Sequence, residues 1–574
     1  MSVNLKSKPF FLDDEAVLWV NRTLSEMSEE DKIHHLFCLV LYDDSEEYCD
    51  YLAKTIRPGG FMNRVMPMEQ CISAINRMQH KSKIPMLVAA NLESGGCGII
   101  REGTDLGNQM QVCATGDVEF AHHLGTICGR EGSAVGANWS FAPIIDIDYN
   151  WRNPITNVRT FGSDPEKVKN FGVKYVETIQ SYGIAAAIKH FPGDGCDERD
   201  QHVSISVNSL SCEEWDNTYG KAYSAAIEAG AKTVMAGHIM QPAYTRYFSP
   251  DKKDEDMLPA SMSKELITNL LREKLGFNGL VITDSTAMAG LATNLPRKTL
   301  VPLTIQAGCD MFLFTKNLEE DIRFMEEGYK EGVFSPERLD EAVTRILALK
   351  ASLGLHKKCT VTDTEKAKAL IGTDEHRQWA KECARKAITL VKEEKGVFPI
   401  TPQRFKRVLF CPLDSNNNTA GDNSANGRFR IALEKEGFEV TVFEPKAVTE
   451  GSQASVEEMK EKYDIIIYSA SVISSYQPVS RIRWSQPQGA NIPTLCHTIP
   501  TVFVSLFSPY HLADVPHIRT YINCYNGSSS VISALVDKLT GRDEFSGQSP
   551  VDAFCGKWDA HVTFGGVCEG LKNK

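Results

Sequence analysis

The chain has 574 residues, 42% of them hydrophobic and 24% charged, with a formal net charge of −12. That length exceeds what one hydrophobic core sustains, so two domains are expected, and the hydrophobic content is well above that of disordered chains. The negative charge argues against nucleic acid or an anionic membrane as a partner, since both are bound through excess lysine and arginine; a small neutral ligand suits it better.

The opening MSVNLKSKPFFLDDEAVLWV has no uninterrupted apolar core and no small-residue cleavage site, so no secretory signal is expected. No later run is apolar for long enough to span a bilayer. The 16 cysteines are scattered, without the spacing of a disulfide framework or of CxxC zinc pairs, which suits reduced thiols in a cytoplasmic protein.

Through the first two-thirds, short apolar runs alternate with longer amphipathic ones, the rhythm of βα units. Eight strands are expected: LFCLVL from Leu36, GGFMN from Gly59, MLVAAN from Met86, FAPIIDI from Phe141, AAAIKHF from Ala185, TVMAGHI from Thr233, LVITD from Leu280 and MFLF from Met311. Helical segments lie between them, among them SEEDKIHHLF, where Ser28 and Asp31 form a capping-box pattern, and SKELITNLLREKL, whose leucines recur at helical spacing. Eight such units predict a closed (β/α)8 TIM-type barrel over residues 1–355. After the helical EAVTRILALKASLGL the rhythm lapses, and residues 356–375 read as a linker. New strands follow from Val408, Phe438, Tyr463, Thr501 and Thr520, alternating with helices, so residues 376–574 are expected to form an α/β sandwich domain with a parallel sheet. That half has no GxGxxG or GxxxxGK[ST] motif, and no nucleotide site is inferred.

Most of the barrel strands finish in groups capable of chemistry: Asn91, Asp146 and Asp148, Lys189 and His190, His238, and Asp284. In a (β/α)8 barrel the active site is built at that strand-end face, so the clustering points to an enzyme, although any one polar residue alone is an ordinary strand ending. The densest stretch is KHFPGDGCDERDQHVS, from Lys189 to Ser204. Asp200 and His202 stand two apart, so the carboxylate can accept from one imidazole nitrogen and leave the other free for proton transfer. His190 and His202 lack a nearby thiolate or an HExxH spacing, and no metal or other cofactor is expected. Asp284 closes an apolar strand and is followed by small residues up to Gly290; it reads either as a reactive carboxylate or as the cap of the next helix.

In order along the chain, FAPIIDIDYNWRNPITNVRTFGSDPE, KHFPGDG, RDQHVS, GLVITDSTAMAG and YINCYNGSSSVISALVDKLTGRDEFSGQSPV resemble glycoside hydrolase family 3, and within it the branch containing bacterial β-N-acetylglucosaminidases. The resemblance implies a retaining, exo-acting β-N-acetylhexosaminidase, with Asp284 as nucleophile, His202 as acid/base and Asp200 orienting its imidazole. It also implies that Arg159, Lys189 and His190 bind sugar hydroxyls. The alternatives are a β-glucosidase, a glycoside phosphorylase, or a barrel that only binds carbohydrate. The expected partner is a small carbohydrate, not nucleic acid or membrane, and self-association into a homo-oligomer is left open. Three positions depart from the family pattern. AANLESGG stands where VDQEGG is usual, so Asn91 replaces the sugar-contacting aspartate; Asp194 replaces the histidine of KHFPGHG, and Gln201 the serine of the Asp-Ser-His loop.

Overall fold

A computed structural model describes residues 3–357, 362–415, 420–444, 455–473, 481–485 and 491–553. The chain divides into two compact units. The first comprises Met1–Leu106, Ala121–Asp148 and Asp164–Arg377; the second comprises Gly107–Phe120, Tyr149–Ser163 and Gln378–Lys574.

The first unit is an eight-stranded parallel barrel. Its strands are β1 (Phe37–Leu41), β2 (Gly60–Asn63), β3 (Leu87–Ala90), β4 (Trp139–Ser140), β5 (Ala185–Phe191), β6 (Thr233–Ala236), β7 (Leu280–Thr283) and β8 (Phe312–Leu313). They pair in chain order, and β8 returns to β1 with Phe312 opposite Phe37. Between β7 and β8 the barrel closes through the bridge of Ile282 with Met311, where the Thr283 N–H donates to the Met311 carbonyl at 3.1 Å. β1, β3, β5, β6 and β7 are buried along their whole length, which is why they read as mainly apolar runs without alternation, interrupted in β5 by Lys189 and His190.

One strand differs from expectation. The run from Phe141 was expected to be the fourth strand, but β4 is only Trp139–Ser140. Pro143 has no N–H to donate, so beyond Ser140 the ladder survives as single bonds, such as Ala187 N–H to the Ala142 carbonyl at 3.0 Å. The chain from Phe141 to Asp148 thus stays beside β5 while bending free, and it carries Asp146 and Asp148, both fully buried, to the strand-end face.

The helices follow their sequence signals. Ser28 caps the helix Glu29–His35 by accepting from the Asp31 N–H. Leu266, Ile267, Leu270 and Leu271 form the buried face of the helix Glu265–Lys274. The range 356–375 carries the helix Thr364–Leu370.

The second unit holds a six-stranded sheet of β9 (Thr389–Lys392), β10 (Arg407–Asp414), β11 (Glu439–Val442), β12 (Ile465–Ser471), β13 (Thr501–Ser505) and β14 (Thr520–Asn523), in the order β9-β14-β13-β12-β10-β11. The five strands expected from sequence are parallel. The sheet as a whole is mixed, because β9 adds itself antiparallel to β14, with Thr389 opposite Asn523. Period-two alternation sends Val408, Phe410, Ile465 and Ile467 to one face, with Phe429, Leu433, Val531 and Leu535 from the covering helices. Leu409, Cys411, Ile466 and Tyr468 face the other way, where Met110 and Ala114, together with Val158 and Trp151, complete the core. On that face Tyr468, Phe503 and Tyr521 stack across three neighbouring strands, with centroids 6.0 and 5.3 Å apart. Trp484, in the loop 480–493, packs against this core; positions 480 and 486–490 of the loop lie outside the described residues.

Candidate active site

Asp284 follows β7 directly, its N–H donating to the Ala236 carbonyl at 2.8 Å, so β6 and β7 together fix its backbone. One carboxylate oxygen accepts the Ser285 N–H at 2.7 Å; the other faces His190 Nε2 at 3.9 Å. The side chain keeps 16% of its surface exposed, an accessible group at the strand-end face.

His190 stands on β5 and is held from behind by Asp146. That carboxylate, with 0% side-chain exposure, accepts from the His190 Nδ1–H at 2.6 Å. It also accepts the N–H groups of His190 at 3.0 Å and of Asp194 at 2.8 Å. With its proton on Nδ1, the ring presents Nε2 toward Asp284. His238, just past β6, accepts from the Ser261 hydroxyl on Nδ1 and donates from Nε2 to the Ser285 carbonyl, both at 2.9 Å. Burial pushes its imidazole below the ordinary value in spite of the pull of Asp284, so it is neutral at pH 7. Burial alone would lift the Asp284 carboxyl. The neighbouring His190 and His238, the Ser285 N–H and Lys189 outweigh it and hold the group below the ordinary carboxylate value.

Asp200 and His202 make the pair their spacing suggests. Asp200 Oδ1 accepts from the His202 ring Nδ1 at 2.7 Å and from the His202 N–H at 2.8 Å. Asp200 is 1% exposed, and its other oxygen has no hydrogen-bond partner among the described residues. The loop bearing this pair is tied to the loop after Asp284: the Ala289 N–H donates to the His202 carbonyl at 3.0 Å, and the Gly290 N–H to the Gln201 carbonyl at 3.1 Å. A Cβ on Gly290 would stand 2.5 Å from that second carbonyl, so only glycine allows the approach.

Lys189, buried on β5, forms an ion pair with Glu93 Oε1 at 2.7 Å. Asn91 follows β3 and is exposed. Arg159 lies in the segment Tyr149–Ser163, which belongs to the second unit. The structure therefore brings His190 and Lys189 on β5 to the same strand-end face as Asp284 after β7, with β6 between the two strands, and joins the Asp200–His202 loop to the loop after Asp284. The sequence flagged Asp146 and His238 as strand ends without showing that they brace His190 and the Asp284 loop. The signal available was a polar residue closing a fully apolar run. Among the described residues, no group of three or more histidine, cysteine, aspartate or glutamate side chains is placed to hold a metal ion, and no helix is long and apolar enough to cross a membrane.

The chemistry open to this arrangement is that of an ionised carboxylate and a carboxylate-backed imidazole around an accessible strand-end face, and comparison with known proteins agrees. The model of the glycosyl hydrolase family 3 N-terminal domain matches residues 49–349. A β-N-acetylglucosaminidase/β-glucosidase of Cellulomonas fimi is 49% identical over 98% of this chain and 100% of its own length. Among solved structures, a β-glucoside phosphorylase bound to 2FGlc has a TM-score of 0.91 at 43% identity, covering 96% of this chain and 99% of its own. A β-N-acetylglucosaminidase from a Paenibacillus species shares the fold at a TM-score of 0.77 and 24% identity, over 93% of this chain and 100% of its own. A match over more than half of the chain, and similarity to a relative along its whole length, show that this chain belongs to glycoside hydrolase family 3, enzymes that act on O-glycosyl bonds of carbohydrates.

Proposed function

We propose that the enzyme cleaves terminal β-glucosides and β-N-acetylglucosaminides with retention, through a covalent glycosyl ester on Asp284, and that phosphate accepts the sugar in the second step. The observation that carries this reading is the Asp200–His202 pair. The buried Asp200 carboxylate holds the Nδ1 side of the His202 ring at 2.7 Å, which leaves Nε2 as the position that passes a proton to the leaving group. Asp284 attacks the anomeric carbon, the glycosidic bond breaks, and the leaving oxygen takes the His202 proton. The imidazole is then neutral. A neutral ring does not repel a phosphate dianion as an acid/base carboxylate would, and phosphate oxygen displaces Asp284 from the anomeric carbon to give a sugar 1-phosphate. Lys189 and His190, with Asn91 and Arg159, are assigned to the sugar hydroxyls. Asn91, an amide where the family carries a carboxylate, suits a relaxed choice between glucose and N-acetylglucosamine.

The similarity to a β-glucoside phosphorylase supports phosphate as acceptor, and the name of the Cellulomonas relative supports both sugars. Hydrolysis of N-acetylglucosaminides, the first expectation from sequence, is the second reading, with water in place of phosphate; the same relative favours it. Turnover of p-nitrophenyl β-glucoside and β-N-acetylglucosaminide with and without phosphate, with products separated by chromatography, tests the proposal. Sugar 1-phosphate is expected as the main product; free sugar alone at saturating phosphate would leave a hydrolase. A 2-deoxy-2-fluoro glycoside should label Asp284, and a label on Asp146 or Asp194 would refute the ester assignment.

A further inference from the structure

Two of the departures from the family motifs touch each other. Gln201, 1% exposed, donates from Nε2 to Asp194 Oδ2 at 2.9 Å, while its Oε1 accepts the His238 N–H at 2.9 Å. Asp194 is itself fixed: its N–H donates to Asp146, and its Oδ1 accepts the Gly195 N–H at 2.8 Å. The Gln201 carbonyl accepts the Gly290 N–H at 3.1 Å. The residue between Asp200 and His202 is thus bonded on three sides, to the loop after β5, to the end of β6 and to the loop after β7.

We propose that Gln201 is a positioning residue, and that the Asp194–Gln201–His238 bridge sets where the His202 imidazole stands relative to Asp284. A serine at this position, as in the family's usual loop, is too short to span from Asp194 to the His238 N–H. An aspartate at position 194 is then matched to an amide donor at 201, and the two departures form one compensated pair. Because the bridge also ends on Asp146, the brace behind His190, the proton donor and the residues around Asp284 share one frame. Misplacement by about 1 Å of a group that must transfer a proton costs roughly a hundredfold in rate.

The inference rests on His202 being the acid/base, and the experiment separates the two. Rates are measured on an alkyl glycoside, which needs the proton, and on a 2,4-dinitrophenyl glycoside, which does not, in Gln201→Ser, Gln201→Glu, Asp194→Asn/Gln201→Glu and His202→Ala. Gln201→Ser and Gln201→Glu should lose about a hundredfold on the alkyl glycoside and about threefold or less on the activated one. Asp194→Asn/Gln201→Glu re-forms the bond with donor and acceptor exchanged, and should recover most of the loss. A uniform loss on both substrates, or no recovery in the double variant, overturns the positioning role even if Gln201→Ser alone folds poorly. If His202→Ala shows no dependence on the leaving group, the acid/base assignment itself fails.

Discussion

At the scale of single residues, the site depends on carboxylates that do no chemistry of their own. Asp146 satisfies three donors, two from His190 and one from Asp194, with no exposed surface. Asp146→Ala would strand them in the interior and should cost about 3 kcal/mol, read from urea denaturation at pH 7. His202→Ala removes the proposed proton donor, so it should be crippled on poor leaving groups yet still form the glycosyl-enzyme from activated aryl glycosides. Asp200→Ala should show a milder version of the same defect, because the ring stays while its orientation and charge partner go. A leaving-group series in each variant measures this, and parallel losses across the series would contradict it. Asp284→Asn should lose roughly 10⁴-fold in turnover with an unchanged circular-dichroism spectrum, since an amide cannot form the ester.

At the scale of elements, glycines decide how closely the strand-end loops approach. Gly193 and Gly195 have φ of +120° and +110°, and a Cβ on Gly195 would lie 1.9 Å from the Ile147 carbonyl. These are the glycines of KHFPGDG, so the motif preserves a backbone path as well as its charged groups. Gly290 has no such backbone demand; it is needed because Gln201 and Ser204 carbonyls stand 2.5 and 3.0 Å from where its Cβ would be. Gly290→Ala must push the His202 loop outward. A stability loss of about 1–3 kcal/mol is expected, with an activity loss of about tenfold or more on alkyl glycosides; unchanged rates would show that the two loops need not touch.

At the scale of the whole molecule, the second unit carries a titration of its own. His511 is fully buried, with its Nδ1 bonded to the Ser505 hydroxyl at 2.9 Å, and burial first, then Arg481, pushes its imidazole down to about 3. An unfolded chain takes up a proton near pH 6.5 that this folded site refuses, so the stability His511 contributes is present above that pH. It is lost progressively as pH falls from about 6.5 toward the folded value. Urea midpoints at pH 7 and pH 5 should fall further apart for the wild type than for His511→Asn. No disulfide joins any two of the 13 described cysteines, so reducing agent should leave both midpoints unchanged.

The sequence by itself determined the strands whose burial is complete, since β1 and β3 are apolar from end to end and β5 and β7 open on apolar runs before their polar ends. It also determined the Asp200–His202 pair, whose members lie two residues apart and meet within one loop. Asp284 was legible as a charge closing an apolar run. Tertiary structure decided what joins residues distant in the chain: Asp146 to His190 across 44 positions, Glu93 to Lys189 across 96 and Gln201 to His238 across 37. It also decided the membership of Gly107–Phe120 and Tyr149–Ser163 in the second unit, where Met110, Ala114, Val158 and Trp151 fill a sheet face that begins only at β9. Periodicity records which side of its own element a residue buries; it carries no record of the element it is buried against, because that partner is chosen by shape and polarity after the chain has folded back on itself.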